Sequence, residues 1–333
     1  MKINKKLITT LIAISLSSNS FAFDISQFFS QLFSSRAGGK AADYGEEKDI
    51  EKFKKFNKCQ NHYPWGEAKI KDPEVLKRVL YICRGSYSIQ YDPLTKLPLS
   101  VSEVLTKPNV LYSKYPKAEN FQIDPDLTVK MQSSLTDYKA NTYEKGNMAA
   151  PINMSIYDEG LSDEQLVEVN SRVMNESFYL SNVAPMVAGN LKTTIWAELE
   201  AQIRYWGSQK DRLLVTTGPI FLGGQVKGFL GENKTAIPTH FYKIVTDPLT
   251  YGSVSYIIPN QEIVTSKTKA IKNPKDAYYC NNEKKLCELN DFIVSIKEIE
   301  KLTSLEFYPI LAPYYAVQVK QDVSEIYKYK KKN

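Results

Sequence analysis

Apolar positions along this chain recur in two rhythms. Over residues 84–91 they alternate with polar ones, Tyr87, Ile89 and Tyr91 against Ser86, Ser88 and Gln90, and the run stops at Asp92-Pro93. A period of two sends successive side chains to opposite faces of a strand, and Asp-Pro breaks it, so an antiparallel strand entering a hairpin is expected. Comparable runs predict strands at 177–184, 213–217, 239–245 and 253–258. The second rhythm is helical. Trp196, Leu199 and Ile203 share one helix face and read as core, while Ser162 with Gln165 and Ser295 with Glu298 have the capping-box spacing that opens a helix. The pattern predicts an α+β domain: a mixed antiparallel sheet with flanking helices.

The first residues follow neither rhythm. Lys2, Lys5 and Lys6 precede a short apolar run from Leu7 to Leu16, and Ser20-Phe21-Ala22 offers small residues for cleavage, the layout of an export signal over 1–22. On that expectation 311 of the 333 residues remain, enough for one large domain, and the protein is periplasmic or secreted. No later stretch has the roughly 20 apolar residues of a membrane span. Residues 23–58 read as a loosely held arm in which Phe28, Phe29, Leu32 and Phe33 fall at helical spacing. The body is expected over 59–311, followed by a C-terminal extension, 312–333, with a solvated basic tail from Lys328 to Lys332.

Charge changes this picture little. Losing the three signal lysines lowers the net charge from +6 to +3, short of a polybasic nucleic-acid binder. Four cysteines behind an export signal favour disulfides. Cys280 and Cys287 bracket a short polar turn, which leaves Cys59 for Cys83. Neither pair has C-x-x-C spacing and the chain has two histidines, His62 and His240, so zinc is a poor alternative. Both histidines are expected to be structural.

The centre of the chain carries a resemblance. Tyr143-Glu144-Lys145-Gly146-Asn147-Met148-Ala149-Ala150-Pro151, then Phe178-Tyr179-Leu180-Ser181-Asn182-Val183-Ala184-Pro185, then Trp196-Ala197-Glu198-Leu199-Glu200 resemble the core of the DNA/RNA non-specific endonucleases. Thr217-Gly218-Pro219-Ile220-Phe221, Ile237-Pro238-Thr239-His240-Phe241-Tyr242-Lys243, Ile258-Pro259-Asn260-Gln261 and Ile299-Glu300-Lys301-Leu302-Thr303 follow in the same order. The resemblance implies a ββα-metal finger set on a mixed sheet, and hydrolysis of phosphodiester bonds. That chemistry needs a base that titrates near neutrality and a divalent cation to carry charge building on the phosphate. In the family Asp-Arg-Gly-His supplies the base as its histidine, an asparagine opening the next helix holds hydrated magnesium, and a glutamate two turns along completes the setting.

Laid over that pattern, Glu144 stands for Asp, Lys145 for Arg, Gly146 for Gly and Asn147 for His. Asparagine has no titratable nitrogen, and lysine lacks the planar fork that grips phosphate. One turn before Trp196 the metal-holding position is Lys192, whose ammonium repels a dication; Asn190, two residues upstream, is the fallback ligand. Glu200 agrees with the family, and Lys192 is placed to pair with it as a built-in cation. Asn182 matches a polar position supporting the active-site loop. No metal is therefore expected, with Mg2+ required only if activity survives.

Three functions follow. The first is an exported pseudonuclease, catalytically impaired but retaining nucleic-acid or partner binding. The alternative is an active metal-dependent endonuclease with a rearranged site, in which Glu144 or an unplaced residue acts as base and Asn190 or Asn147 helps to hold the ion. The third uses the fold as a scaffold for an envelope or secreted protein partner.

Overall fold

The structure, a computed structural model, describes residues 59–112, 120–139, 142–188, 195–266, 277–280 and 286–321. The export signal, the arm with Phe28 to Phe33, Asn190, Lys192 and the basic tail lie outside the described residues. In chain order the elements are β1 (Lys69–Ile70), α1 (Pro73–Arg78), β2 (Leu80–Cys83), β3 (Tyr87–Asp92), β4 (Leu97–Thr106) and α2 (Lys107–Tyr112). There follow β5 (Tyr143–Asn147), α3 (Asp163–Glu176), β6 (Val183–Val187), α4 (Ile195–Gln209), β7 (Arg212–Ile220), β8 (Gly228–Leu230), β9 (Thr235–Ile237), β10 (His240–Thr246) and β11 (Ser253–Pro259). The last are β12 (Ile293–Val294), α5 (Ile296–Thr303), β13 (Leu305–Glu306) and α6 (Pro313–Gln321).

Seven strands form one antiparallel sheet in the order β12-β11-β10-β7-β4-β3-β2. Both faces are covered, which explains why β10 reads as a nearly continuous apolar run rather than an alternating one. Phe241 and Val245 enter a large core with Trp196, Leu199 and Ile203 of α4. Tyr242 and Ile244 point the other way, into a second core with Ile296 and Ile299 of α5, Phe307 and Val319. Burying each such side chain is worth about 1.5–3 kcal/mol, so α4 is fixed to the sheet by its apolar stripe. The C-terminal extension begins as part of the body, because α6 buries Val319 and stacks Tyr315 on Tyr251 at 4.3 Å.

The two capping boxes form as expected: Ser162 and Gln165 open α3, and Ser295 and Glu298 open α5. The hairpin at Asp92-Pro93 also forms, with the Asp92 carboxylate accepting from Leu94 N at 3.0 Å. Both disulfides, Cys59–Cys83 and Cys280–Cys287, are present. One strand expectation is corrected. Residues 177–182 are a turn and a 3-10 helix (Leu180–Asn182), and the strand starts only at Val183. Phe178 N, Tyr179 N and Asn182 N donate to carbonyls three residues back, at 3.0, 3.1 and 2.9 Å, so they are not free for a ladder.

Candidate active site

β5 and β6 pair antiparallel and precede α4, giving the ββα unit. The register sets Glu144 opposite Met186, Lys145 opposite Pro185, Gly146 opposite Ala184 and Asn147 opposite Val183. Gly146 is required by packing: a Cβ there would stand 2.9 Å from Met186 Cβ. Alternation along β5 puts Lys145 and Asn147 on one face, Glu144 and Gly146 on the other. Glu144 therefore projects away from the side on which the family's base would act.

The half-buried Asn147 carboxamide donates from Nδ2 to the Ser177 carbonyl at 2.7 Å. The same carbonyl accepts from Asn182 Nδ2 at 2.9 Å, so two amides converge on one oxygen at the end of α3. Asn182 is fully buried; its Nδ2 also donates to Ala149 O, and its Oδ1 accepts from Ala149 N, both at 2.9 Å. Every polar group of that side chain serves the turn after β5. Asn182 therefore holds Asn147 in place rather than facing solvent.

Lys145 is committed as well. Its ammonium lies 5.2 Å from the ring centroid of Phe121 and 5.1 Å from that of Tyr138, a seat in which the ring faces carry part of its charge. The turn at 177–182 is braced from the sheet edge. Arg84 pairs with Asp124 and Asp126, at 2.5 and 2.7 Å, and lies over the Tyr179 ring, while Gly85 N donates to the Glu176 carboxylate at 2.7 Å.

Beneath the unit runs a chain of buried charges that the sequence reading missed. Glu200 on α4 accepts from Trp196 Nε1 at 3.0 Å and faces Lys243 Nζ at 3.8 Å. Lys243, on β10, is 1% exposed, and its ammonium sits 4.6 Å from the Trp196 ring centroid. Lys192 lies outside the described residues, and among those described the cation beside Glu200 is Lys243. Partial burial raises the Glu200 pKa above the usual carboxylate range, against the pull of Lys243 and the Trp196 donor. Glu103 on β4 is also buried, accepts from Asn153 Nδ2 at 3.3 Å, and is pushed up to about 7 by desolvation, with Lys243 opposing. Arg204 of α4 closes the chain, donating to Ile152 O at 2.7 Å and to Asn153 Oδ1 at 3.4 Å. A lysine inside an otherwise apolar strand segment was the available signal, since a buried lysine needs a partner.

Neither histidine joins the unit. His240 lies on β10, and burial, with Lys227 nearby, lowers it to about 4; burial also lowers His62. Among the described residues no group of three or more His, Cys, Asp or Glu is placed to hold a metal ion. Glu200 is the carboxylate that the family would set near its cation, and here a lysine ammonium and an indole N–H already answer it. These partners take up Glu200 Oε1, and the positions expected to hold a hydrated dication, Asn190 and Lys192, lie outside the described residues. No described helix is long and apolar enough to cross a membrane.

The family model described as DNA/RNA non-specific endonuclease matches residues 71–312. Relatives include bovine mitochondrial endonuclease G, 27% identical over 237 residues, covering 68% of each chain. Nuclease C1 of Cunninghamella echinulata var. echinulata is also 27% identical, covering 68% of this chain and 82% of its own. The human mitochondrial nuclease EXOG is 24% identical over 69% of this chain, which spans only 57% of EXOG. A crystal structure of an EndoG/EndoGI complex, described as showing the mechanism of EndoG inhibition, superposes with a TM-score of 0.57 at 24% identity, covering 78% of this chain and 94% of that one. The likeness confirms the ββα nuclease fold.

These relatives also correct the expected location. Endonuclease G and EXOG are named as mitochondrial nucleases, so the periplasmic or secreted assignment drawn from residues 1–22 does not stand. The family match over more than half of the chain settles its kinship: the protein belongs to the DNA/RNA non-specific endonuclease family.

Proposed function

We propose that this chain is a family member in which phosphodiester cleavage is lost or severely weakened, while the surface around the ββα unit is kept for binding nucleic acid or a protein partner. The observation that carries this reading is Asn147. It occupies the position of the family's histidine, and its carboxamide is tied to the Ser177 carbonyl. An amide cannot take a proton from water near neutral pH, and proton transfer by a placed base is worth on the order of 10²–10⁴ in rate. Glu144 does not replace it, because it lies on the other face of β5. Lys145 is parked on two aromatic rings instead of presenting a charged fork toward a phosphate.

Mg2+ belongs to this account only if turnover survives. A bound cation would stabilise charge on the phosphate oxygens. The chain's own Lys243 and Trp196 meanwhile hold Glu200 in one orientation and balance its charge. The direct test incubates purified protein with plasmid DNA and with single-stranded RNA, in Mg2+ and in Mn2+, beside Asn147→Ala. The proposal expects no cleavage above background from either protein, with binding of the same nucleic acids or of a protein partner preserved in the parent. Metal-dependent nicking by the parent that Asn147→Ala abolishes would overturn it.

A further inference from the structure

A cavity of about 120 Å3 opens beside the Cys59–Cys83 disulfide, on the edge strand of the sheet and apart from the ββα unit. Its lining brings together four oxygen-bearing side chains: Tyr63, Glu67, Tyr81 of β2 and Ser88 of β3. None of the four has a side-chain hydrogen bond or ion pair among the described residues. Ser88 is buried and Tyr63, Glu67 and Tyr81 are half-buried, so four polar groups without a protein partner line one recess that a polar ligand can reach. The set is also one-sided chemically. A carboxyl and three hydroxyls offer acceptor lone pairs in abundance, and the charge the carboxyl can take on is negative.

We infer that this cavity binds a primary alkylammonium head group, with Glu67 as counter-charge, the hydroxyls of Tyr63, Tyr81 and Ser88 as further acceptors, and Ile82 with the disulfide as the wall for its carbon chain. An ammonium has three donors and no acceptor, the complement of this lining. A divalent metal is a poorer fit, since one carboxylate without histidine or a second acid falls short of its ligand needs. The volume suits a head group of several heavy atoms rather than one water, whose share of the liquid is about 30 Å3.

Desolvation pushes the Glu67 carboxyl up to about 8, and the titratable groups facing it are Tyr63, held at about 12, and Tyr81, also raised, each chiefly by burial and then by Glu67. Burial therefore keeps Glu67 protonated at neutral pH, and a bound cation selects its ionised form. Binding should release about one proton at pH 7 and strengthen about tenfold per pH unit until pH 8, while the amine itself stays charged to about pH 10.

Isothermal titration calorimetry of the full chain with n-butylammonium chloride tests this, run in phosphate and in HEPES so that the proton release can be counted. Glu67→Gln, checked for folding by circular dichroism, should bind at least tenfold more weakly and lose the proton release, and tetramethylammonium, which lacks N–H donors, should bind the parent poorly. Tighter binding of n-butylammonium than of Nα-acetyl-lysine amide assigns the site to a free amine, and the reverse order to a lysine on a polypeptide. Equal affinity of parent and folded Glu67→Gln, no heat for any amine with the parent, or tetramethylammonium binding as well as n-butylammonium would overturn the inference.

Discussion

Replacing Asn182 by alanine removes the side chain that ties three separate pieces of backbone together. Its carboxamide makes three hydrogen bonds of 2.9 Å, two to Ala149 and one to Ser177 O. Ser177 O keeps Asn147 as a donor after the change, but Ala149, which is fully buried, loses the partners of both its N–H and its carbonyl. A buried backbone group left unsatisfied costs about 1–3 kcal/mol, so the two together predict a loss of about 2–6 kcal/mol, a large share of a domain's stability. Asn182→Asp is the sharper probe, because it keeps an acceptor for Ala149 N yet turns a second oxygen toward two carbonyls. At pH 7 it should be at least as damaging as alanine, and at pH 4, where the acid can donate one proton, the gap should narrow. Urea unfolding followed by tryptophan fluorescence gives both numbers. A loss below about 1 kcal/mol for Asn182→Ala would refute the claim that this residue supports the turn carrying Asn147.

Glu103 titrates near 7 when folded against about 4.5 unfolded, so the folded state binds the extra proton between those values and stability falls as pH rises through that window. Glu103→Gln should remove about 3 kcal/mol of the parent's decline in unfolding free energy between pH 4.5 and 7.5, by about 1.4 kcal/mol per unit; an unchanged slope would count against the buried placement. Lys243→Met strands the Glu200 carboxylate, and because that side chain is 24% exposed the expected loss is about 2–3 kcal/mol, under the range for a fully buried pair. Adding Glu200→Gln should recover part of that loss, and a double variant no better than the single one would contradict the pairing. The two disulfides close loops separated by 24 and 7 residues, so removing Cys59–Cys83 should cost about 1 kcal/mol more than removing Cys280–Cys287, measured with paired serine variants.

Local patterns in the chain foretold much of this molecule. Alternation located β3, apolar runs located β10 and β11, the spacing of Ser162 with Gln165 and of Ser295 with Glu298 located two helix starts, and cysteine spacing gave both disulfides. The order of motifs gave the ββα unit and the position of Asn147. Residues 177–182 deceived because their apolar alternation suits a strand, whereas the N–H groups of Ser177, Phe178, Tyr179 and Asn182 bond to carbonyls three residues back. Lys243 and Glu103 stayed hidden for another reason. Their partners, Glu200 and Asn153, come from distant segments that only the folded sheet and α4 bring together, and no local rule reports such pairing. The location expectation rested on 22 residues of composition alone, and the relatives overturned it.

Restoring the missing chemistry is the most direct trial of the idea that Asn147 silences this site. Asn147→His, made together with Lys192→Asn, returns an imidazole and an oxygen ligand to the two positions where the family has them, and plasmid cleavage is followed with and without Mg2+. The account predicts metal-dependent nicking by the double variant at least 100-fold above the parent, on the order of the contribution of a placed base. A parent that already cuts as fast as the double variant would contradict it.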